Sequence, residues 1–203
     1  GVLDRDAHWL SRKQSGPGAM EALFPNVAEV LREADRSLDS VARFVYCKGP
    51  GSVLGLRLAA MAIETWCRLS DSPLEKSGYD SLQLTAALLL LDKPGLENAL
   101  ILSDWKKDTW HALYIDQGVA GSVAPLQTEA LQTIDRPLYH LPRRKGWQAP
   151  PEGAQTLLYE PSRMDAVLMR TNFLQSSEAV ELFQPGGNTF AKWNPQRHRA
   201  KPA

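Results

Sequence analysis

Apolar and polar positions in the first third of the chain follow a pattern that predicts a strand, a turn and a helix. Residues 41–46 form a short β-branched and aromatic run typical of a buried strand, and Gly49-Pro50-Gly51 interrupts it. Ser52 stands where a helix N-cap would stand, and an apolar run follows it to Trp66. We therefore predict a helix over 52–69 that is buried on most of its surface.

Two further helices are indicated upstream and downstream of this unit. Over 19–34 apolar residues recur every three or four positions, with charged residues on the opposite face. These apolar positions are Met20, Leu23, Phe24, Val27, Val30 and Leu31. After a polar connection over 71–78, another helix is expected over 81–91 with Ser81 as its cap. The apolar positions on these helices favour packing within the chain. The small side chains of Ala59 and Ala62 would also let a partner helix approach the helix over 52–69 closely.

The remaining segments predict short strands and a division of the chain. Residues 1–16 fit strand and turn, 99–102 and 110–115 a hairpin, 156–159 a strand, and 163–173 a helix. Because the pattern changes character near residue 95, we expect one subdomain over 1–95 and a second over 96–190. Residues 191–203 form a basic C-terminal tail.

Composition and charge limit the class of protein. The chain has 203 residues, of which 43% are apolar, and 23 basic residues balance 23 acidic ones. No overall field would therefore draw it to nucleic acid or anionic lipid. Cys47 and Cys67 lack the spacing of a metal site or a disulfide framework, so we expect both to be reduced and buried. The apolar runs are too short for a membrane span, and a cytoplasmic location is expected.

A glycine turn that opens a helix can cradle a phosphate, because free N–H groups and the helix dipole favour an anion there. The spacing after Gly49 fits neither the P-loop nor the dinucleotide fingerprint. We therefore favour a structural turn, with Gly55 allowing another backbone to approach. The four histidines are scattered and no serine lies in a nucleophile elbow, so the isolated chain is expected to turn over neither ATP nor peptide.

The same stretch carries a family resemblance. Gly49-Pro50-Gly51-Ser52-x-x-Gly55-Leu56-Arg57 resembles the Gly-Pro-Gly-Ser-Phe-Thr-Gly-Leu-Arg signature of the TsaB (YeaZ) family, with Val53 and Leu54 replacing Phe and Thr. Similar family segments are matched at 21–25, 79–82 and 101–104. Thr109 and His111 replace a Glu and a Tyr of the family, and its first strand, which carries Ile-Asp-Thr, has no counterpart in the sequence given.

The resemblance implies a fold, a role and a set of site residues. The fold would be α/β, actin-like or ribonuclease-H-like, with two subdomains of mixed sheets flanked by helices. The role would be that of a non-catalytic subunit in the complex that adds threonylcarbamoyl to adenosine beside the tRNA anticodon. The turn motif comprises Gly49, Pro50, Gly51, Ser52, Gly55 and Arg57, and the expected partner interface comprises Met20, Leu23, Val27, Leu58, Ala59, Ala62, Ile63 and Trp66.

The partners follow from the same resemblance. The chain would pair with a catalytic, TsaD-like paralogue as a heterodimer, or with itself as a homodimer. A small ATPase of the complex is a further partner, and tRNA would be met indirectly. ATP and metal are expected on the partner subunit, so no cofactor is assigned to this chain.

Basic residues in the last third of the chain raise the question of RNA contact. Arg143, Arg144 and Lys145 precede a tryptophan, and Arg197 and Arg199 lie in the tail. Cations beside an aromatic ring can hold RNA by phosphate pairing and stacking, although such a run is more often a solvated loop. Two alternative functions stay open. One is a diverged homodimeric interaction module outside the tRNA pathway, and the other is an actin-like nucleotide-binding enzyme.

Overall fold

The computed structural model describes residues 1–14, 18–142 and 149–183. Its α-helices are α1 (Ala19–Glu33), α2 (Val53–Leu69), α3 (Ser81–Asp92) and α4 (Asp165–Leu168). Its strands are β1 (Val2–Leu3), β2 (Trp9–Ser11), β3 (Arg43–Gly49), β4 (Glu75–Asp80), β5 (Ala99–Lys106), β6 (Thr109–Asp116), β7 (Val119–Ala120), β8 (Ala124–Gln127), β9 (Leu138–Leu141), β10 (Gln155–Thr156) and β11 (Gln175–Ser176). Short 3-10 helices cover Leu38–Ser40, Thr128–Thr133 and Pro161–Arg163.

The strands form a hairpin and two mixed sheets. β1 and β2 pair antiparallel. In the small sheet β4 is central, parallel to β3 and antiparallel to β11. The large sheet has the order β10-β9-β5-β6-β7, with β8 also paired to β6. Since β5 runs antiparallel to β6 and parallel to β9, this sheet is mixed as well.

Helix α3 lies between the two sheets and is apolar on all sides. Leu82 and Leu89 pack with Ile101 and Leu113 of the large sheet. Leu84 and other residues of α3 pack with Tyr79, Met164, Val167 and Phe173. A helix buried on opposite faces needs apolar residues all round, which is why its sequence shows no amphipathic period. On the small sheet, α2 packs against β3, where Trp66 stacks on Phe44 with ring centroids 5.6 Å apart.

Several predicted elements are confirmed. α1 and α2 lie within a residue of their expected bounds, and β5 with β6 forms the expected hairpin. Of the segment 1–16, the described residues 1–14 contain the expected strand and turn. In the described residues no helix is both long and apolar enough to cross a membrane. The boundary near residue 95 falls between α3 and β5 and stays a prediction.

Other expectations were wrong in identifiable ways. The polar stretch 71–78 contains most of β4, because Ser77 and Gly78 are small enough to lie in a strand paired on both edges. The helix expected over 163–173 is only Asp165–Leu168, and the strand expected over 156–159 is only Gln155–Thr156. Helix α2 buries only Ala62 and Ile63 fully, so it is not enclosed on most of its surface.

Candidate functional site

The glycine turn joins the end of β3 to the start of α2. Gly49 has φ +130°, and a Cβ there would lie 3.2 Å from both Leu56 Cδ1 and Phe183 Cβ. Glycine is therefore required at this position. The Ser52 hydroxyl accepts from the Gly55 amide at 3.3 Å, which confirms the predicted N-cap. A Cβ on Gly55 would lie 3.5 Å from that of Ala19, an ordinary contact, so α1 does approach here but a methyl group would fit.

A crevice opens beside this turn, between the small and large sheets. It has a volume of about 340 Å³ and lies at the carboxyl ends of β3 and β4, where α/β folds commonly bind ligands. It is lined by Cys47, Pro50, Gly51, Ser52, Gly55, Leu56, Ser81, Ser103, Leu141, Pro142 and Tyr159. Ser81 was expected to cap α3, but its hydroxyl instead donates to the Pro50 carbonyl at 2.9 Å and ties the turn to α3. Arg57 of the motif is exposed and does not line the crevice.

Two charged residues at the ends of the parallel strands form a pair that sequence reasoning missed. Lys48 Nζ lies 3.8 Å from Oδ1 of buried Asp80 and donates to Gln175 Oε1 at 2.5 Å. Gly78 makes room for Lys48, because a Cβ there would lie 2.7 Å from Lys48 Cγ. Burial raises the pKa of Asp80, and Lys48 offsets part of this effect. Asp80 stands where the resembled segment has a serine, which was the available clue.

Cys47 and Tyr159, which line the crevice, form a small network with Tyr79. The Tyr79 and Tyr159 hydroxyls lie 2.9 Å apart. Burial raises the pKa of Cys47 and of both tyrosines. All three groups are therefore protonated near neutral pH, and the Cys47 thiol is a poor nucleophile. Both cysteines are free, but each is half-buried and not enclosed as expected.

The polar groups of the large sheet lie on its two different faces. His140 Nε2 is 3.5 Å from Asp104 Oδ2, and both side chains are buried. Ser103 lines the crevice, and alternation along β5 puts Asp104 on the opposite face. His111, the cross-strand neighbour of Ser103, stacks on Trp105 with centroids 5.1 Å apart. The two histidines are thus separated by the sheet.

One acidic group near the N-terminus resembles a metal site. Asp4, Asp6 and His8 each place a ligand atom within 4.8 Å of the others, which the sequence reasoning did not anticipate. Asp4 Oδ1 accepts from the backbone amides of Asp6 and His8, so these contacts form an ordinary turn between β1 and β2. We assign no metal to it.

The most distinctive surface is an apolar face on α1 and α2. Six of its side chains are each more than half exposed: Met20, Phe24, Val53, Leu54, Met61 and Leu69. Leu54, Met61 and Leu69 follow one helical stripe, and Met20 and Phe24 are one turn apart on α1. Phe24 meets Trp66 of α2 edge to face at 6.1 Å, so the two helices are in contact. We call these six residues the helix-pair face.

The expected partner interface overlaps this face only in part. Met20 is exposed, and Leu23, Val27, Leu58, Ala59 and Trp66 are half-buried. Ala62 and Ile63 are buried within this chain and are not available to a partner, which corrects their assignment. Phe24, Leu54 and Met61 were not assigned, although their apolar spacing was visible in the sequence. The expected RNA contacts Arg143, Arg144, Lys145, Arg197 and Arg199 lie outside the described residues.

Comparison with known proteins supports the fold. The chain is similar to an uncharacterized protein with similarity to peptidase YeaZ from Pseudomonas aeruginosa, with TM-score 0.50 and 19% identity over 80% of this chain and 82% of that one. It is also similar to YeaZ from Pseudomonas aeruginosa, with TM-score 0.44, 24% identity and coverage of 54% of this chain. This chain spans 53% of that YeaZ. No protein-family model and no curated protein matches the sequence. The fold is mixed α/β of the actin-like, ribonuclease-H-like class.

Proposed function

We propose that this chain is a non-catalytic pairing subunit in the complex that adds threonylcarbamoyl to adenosine beside the tRNA anticodon. In this role the helix-pair face docks onto a TsaD-like catalytic paralogue. The observation that carries the proposal is the exposed apolar face on α1 and α2. The glycine-turn signature and the shared fold support the choice of complex.

The free energy of association requires a contact made by several apolar side chains rather than by one. Burying a fully exposed Leu, Phe or Met contributes about 1.5–3 kcal/mol, whereas association of two proteins costs about 4–15 kcal/mol in lost freedom. One exposed methionine would therefore not hold a partner. Several such side chains on two helices that contact each other can do so, because a group of exposed apolar side chains marks an interaction site more strongly than single scattered ones.

The crevice chemistry supports a non-catalytic role. Cys47 and Tyr159 stay protonated at neutral pH because burial raises their pKa values. The Asp104–His140 pair faces away from the crevice and cannot activate a group inside it. In the proposed complex, ATP and metal chemistry belong to the catalytic partner.

Purification from the native cell tests the proposal. The tagged full chain should recover a TsaD-like protein, and light scattering on the eluted complex should give the mass of a heterodimer. Adding the pure chain to the paralogue and the other purified components should raise threonylcarbamoyladenosine formation on tRNA. A chain that forms only homodimers and leaves the modification unchanged would instead support the diverged interaction module.

A further inference from the structure

The segment over residues 175–183, which we call the C-terminal strap, crosses the small sheet from one edge to the glycine turn. It begins as β11 on β4, where Ser177 N donates to the Lys76 carbonyl at 3.1 Å. Val180 N then donates to Glu64 Oε1 of α2 at 2.6 Å. Glu181 N donates to the Tyr46 hydroxyl at 3.0 Å, and Phe183 N donates to the Lys48 carbonyl at 3.0 Å. After the two residues paired with β4, separate hydrogen bonds rather than continuous strand pairing thus hold the strap.

The strap stands away from the sheet along part of its course. A polar cavity of about 410 Å³ is lined by Lys48, Gln175, Ser176, Ser177, Glu178, Ala179 and Glu181. Most of these strap residues are exposed, whereas residues of the central strands such as Leu100 and Ile101 are fully enclosed. Segments with few buried apolar contacts and exposed hydrogen bonds open at low free-energy cost. The strap therefore has the features of a locally releasable segment.

Phe183, the last residue of the strap, lies between the glycine turn and β6. Its Cβ lies 3.2 Å from where a Cβ of Gly49 would be, so it packs directly on the glycine turn. Its ring also meets the His111 ring edge to face at 5.4 Å. Ser103, the cross-strand neighbour of His111, lines the crevice. Phe183 thus bridges the small and large sheets next to the crevice, on the β6 side.

We propose that the strap detaches reversibly from the small sheet. While the strap is bound, Phe183 covers His111 and closes the crevice at β6. Release of the strap extends the crevice from Ser103 to His111 and Trp105. The inference does not depend on the partner proposed above, because it concerns Phe183, His111 and the crevice rather than the helix-pair face. Its test needs only the isolated full chain.

Histidine labelling with diethylpyrocarbonate, read out by peptide mass spectrometry, provides the test. His111 and His140 are equally buried, but only His111 contacts Phe183, while His140 packs on Trp110. Phe183→Ala should raise the labelling rate of His111 by about tenfold and leave that of His140 unchanged, because only the local cover is removed. Exposed His8 serves as the fully reactive reference.

A matched pair of variants tests the anchor at α2. Glu64→Ala removes the acceptor of the Val180 amide and should also raise His111 labelling. Glu64→Gln keeps an Oε1 acceptor and should behave as the unaltered chain. Hydrogen exchange should show the amides of Val180, Glu181 and Phe183 exchanging well before those of β5. The proposal is overturned if His111 stays protected in Phe183→Ala, if both histidines become reactive together, or if the strap amides exchange no faster than β5.

Discussion

At the scale of single residues, the Lys48–Asp80 pair shows that burial can disfavour the charged form of a carboxyl group even when a cation lies nearby. Asp80 Oδ1 accepts no hydrogen bond within the described residues, and Lys48 Nζ is 3.8 Å away, beyond hydrogen-bond distance. Burial therefore outweighs the attraction, and the pKa of Asp80 is raised above 3.8. A carboxyl group with a raised pKa in the folded state destabilises the fold when it ionises.

The effect of Asp80 on the stability of the chain should depend on pH. The contribution of Asp80 to the free energy of unfolding is most favourable below its ordinary pKa of 3.8. This contribution is lost as the pH rises through the raised pKa of the folded state. Asp80→Asn should therefore stabilise the chain at neutral pH, and its advantage should shrink as the pH falls toward about 4. Urea unfolding of both proteins across this range measures the difference.

Two controls separate the charge from its neighbours. Asp135→Asn, at an exposed position, should leave the pH profile unchanged. Lys48→Met should destabilise the chain at neutral pH, because Asp80 would then be buried without a cation. An Asp80→Asn protein that is less stable at neutral pH would mean that the attraction to Lys48 dominates.

At the scale of elements, α2 has two faces with different roles. Ala62 and Ile63 are buried in the chain, whereas Leu54, Met61 and Leu69 point to solvent. The N-cap at Ser52 and the glycine turn fix where the helix begins, and this sets which residues face outward. A substitution on α2 should therefore affect either folding or pairing, according to its face.

Arginine substitutions on the two faces test this division. Met61→Arg should weaken pairing by roughly 2 kcal/mol or more of association free energy, while the monomer keeps its melting temperature. Ala62→Arg should unfold the monomer or destabilise it by several kcal/mol, because a charge would be buried without a partner. Thermal unfolding and light scattering measure the two effects.

A control on another surface completes the comparison. Leu158 is exposed to a similar degree as Met61 but lies outside α1 and α2. Leu158→Arg should leave both pairing and stability unchanged. Normal pairing of Met61→Arg would place the interface elsewhere on the molecule.

At the scale of the whole molecule, α3 couples the two sheets through one core. Leu82 packs toward the large sheet and Leu84 toward the small sheet, and both are completely buried. The proposed subdomains on either side of residue 95 therefore share a structural layer. We expect them to unfold together.

Leucine truncations on α3 measure this coupling. Leu82→Ala and Leu84→Ala should each lower the free energy of unfolding by about 2–5 kcal/mol. Hydrogen exchange should show amides of β3 and of β5 losing protection together in both variants, since one helix supports both sheets. Loss of protection in only the contacted sheet would show that the two halves unfold separately.

The sequence alone determined the elements that depend on interactions between residues a few positions apart. The periodic apolar positions predicted α1 despite Pro25 inside it, and the glycine-serine sequence predicted the turn and cap before α2. The β-branched and apolar runs likewise predicted β3 and the β5–β6 hairpin. These features depend on neighbours within a few positions, which the sequence shows directly.

Tertiary packing decided the features that depend on distant neighbours. β4 is polar in sequence and became a central strand only because β3 and β11 supply hydrogen bonds on both edges. Burial of Ala62 and exposure of Met61 follow from where α2 meets the sheet, and both residues look alike as apolar positions of one helix. The Lys48–Asp80 pair and the Phe183–His111 contact join residues 32 and 72 positions apart in the chain. Such contacts are set by the three-dimensional path of the chain, because no local period or spacing encodes them.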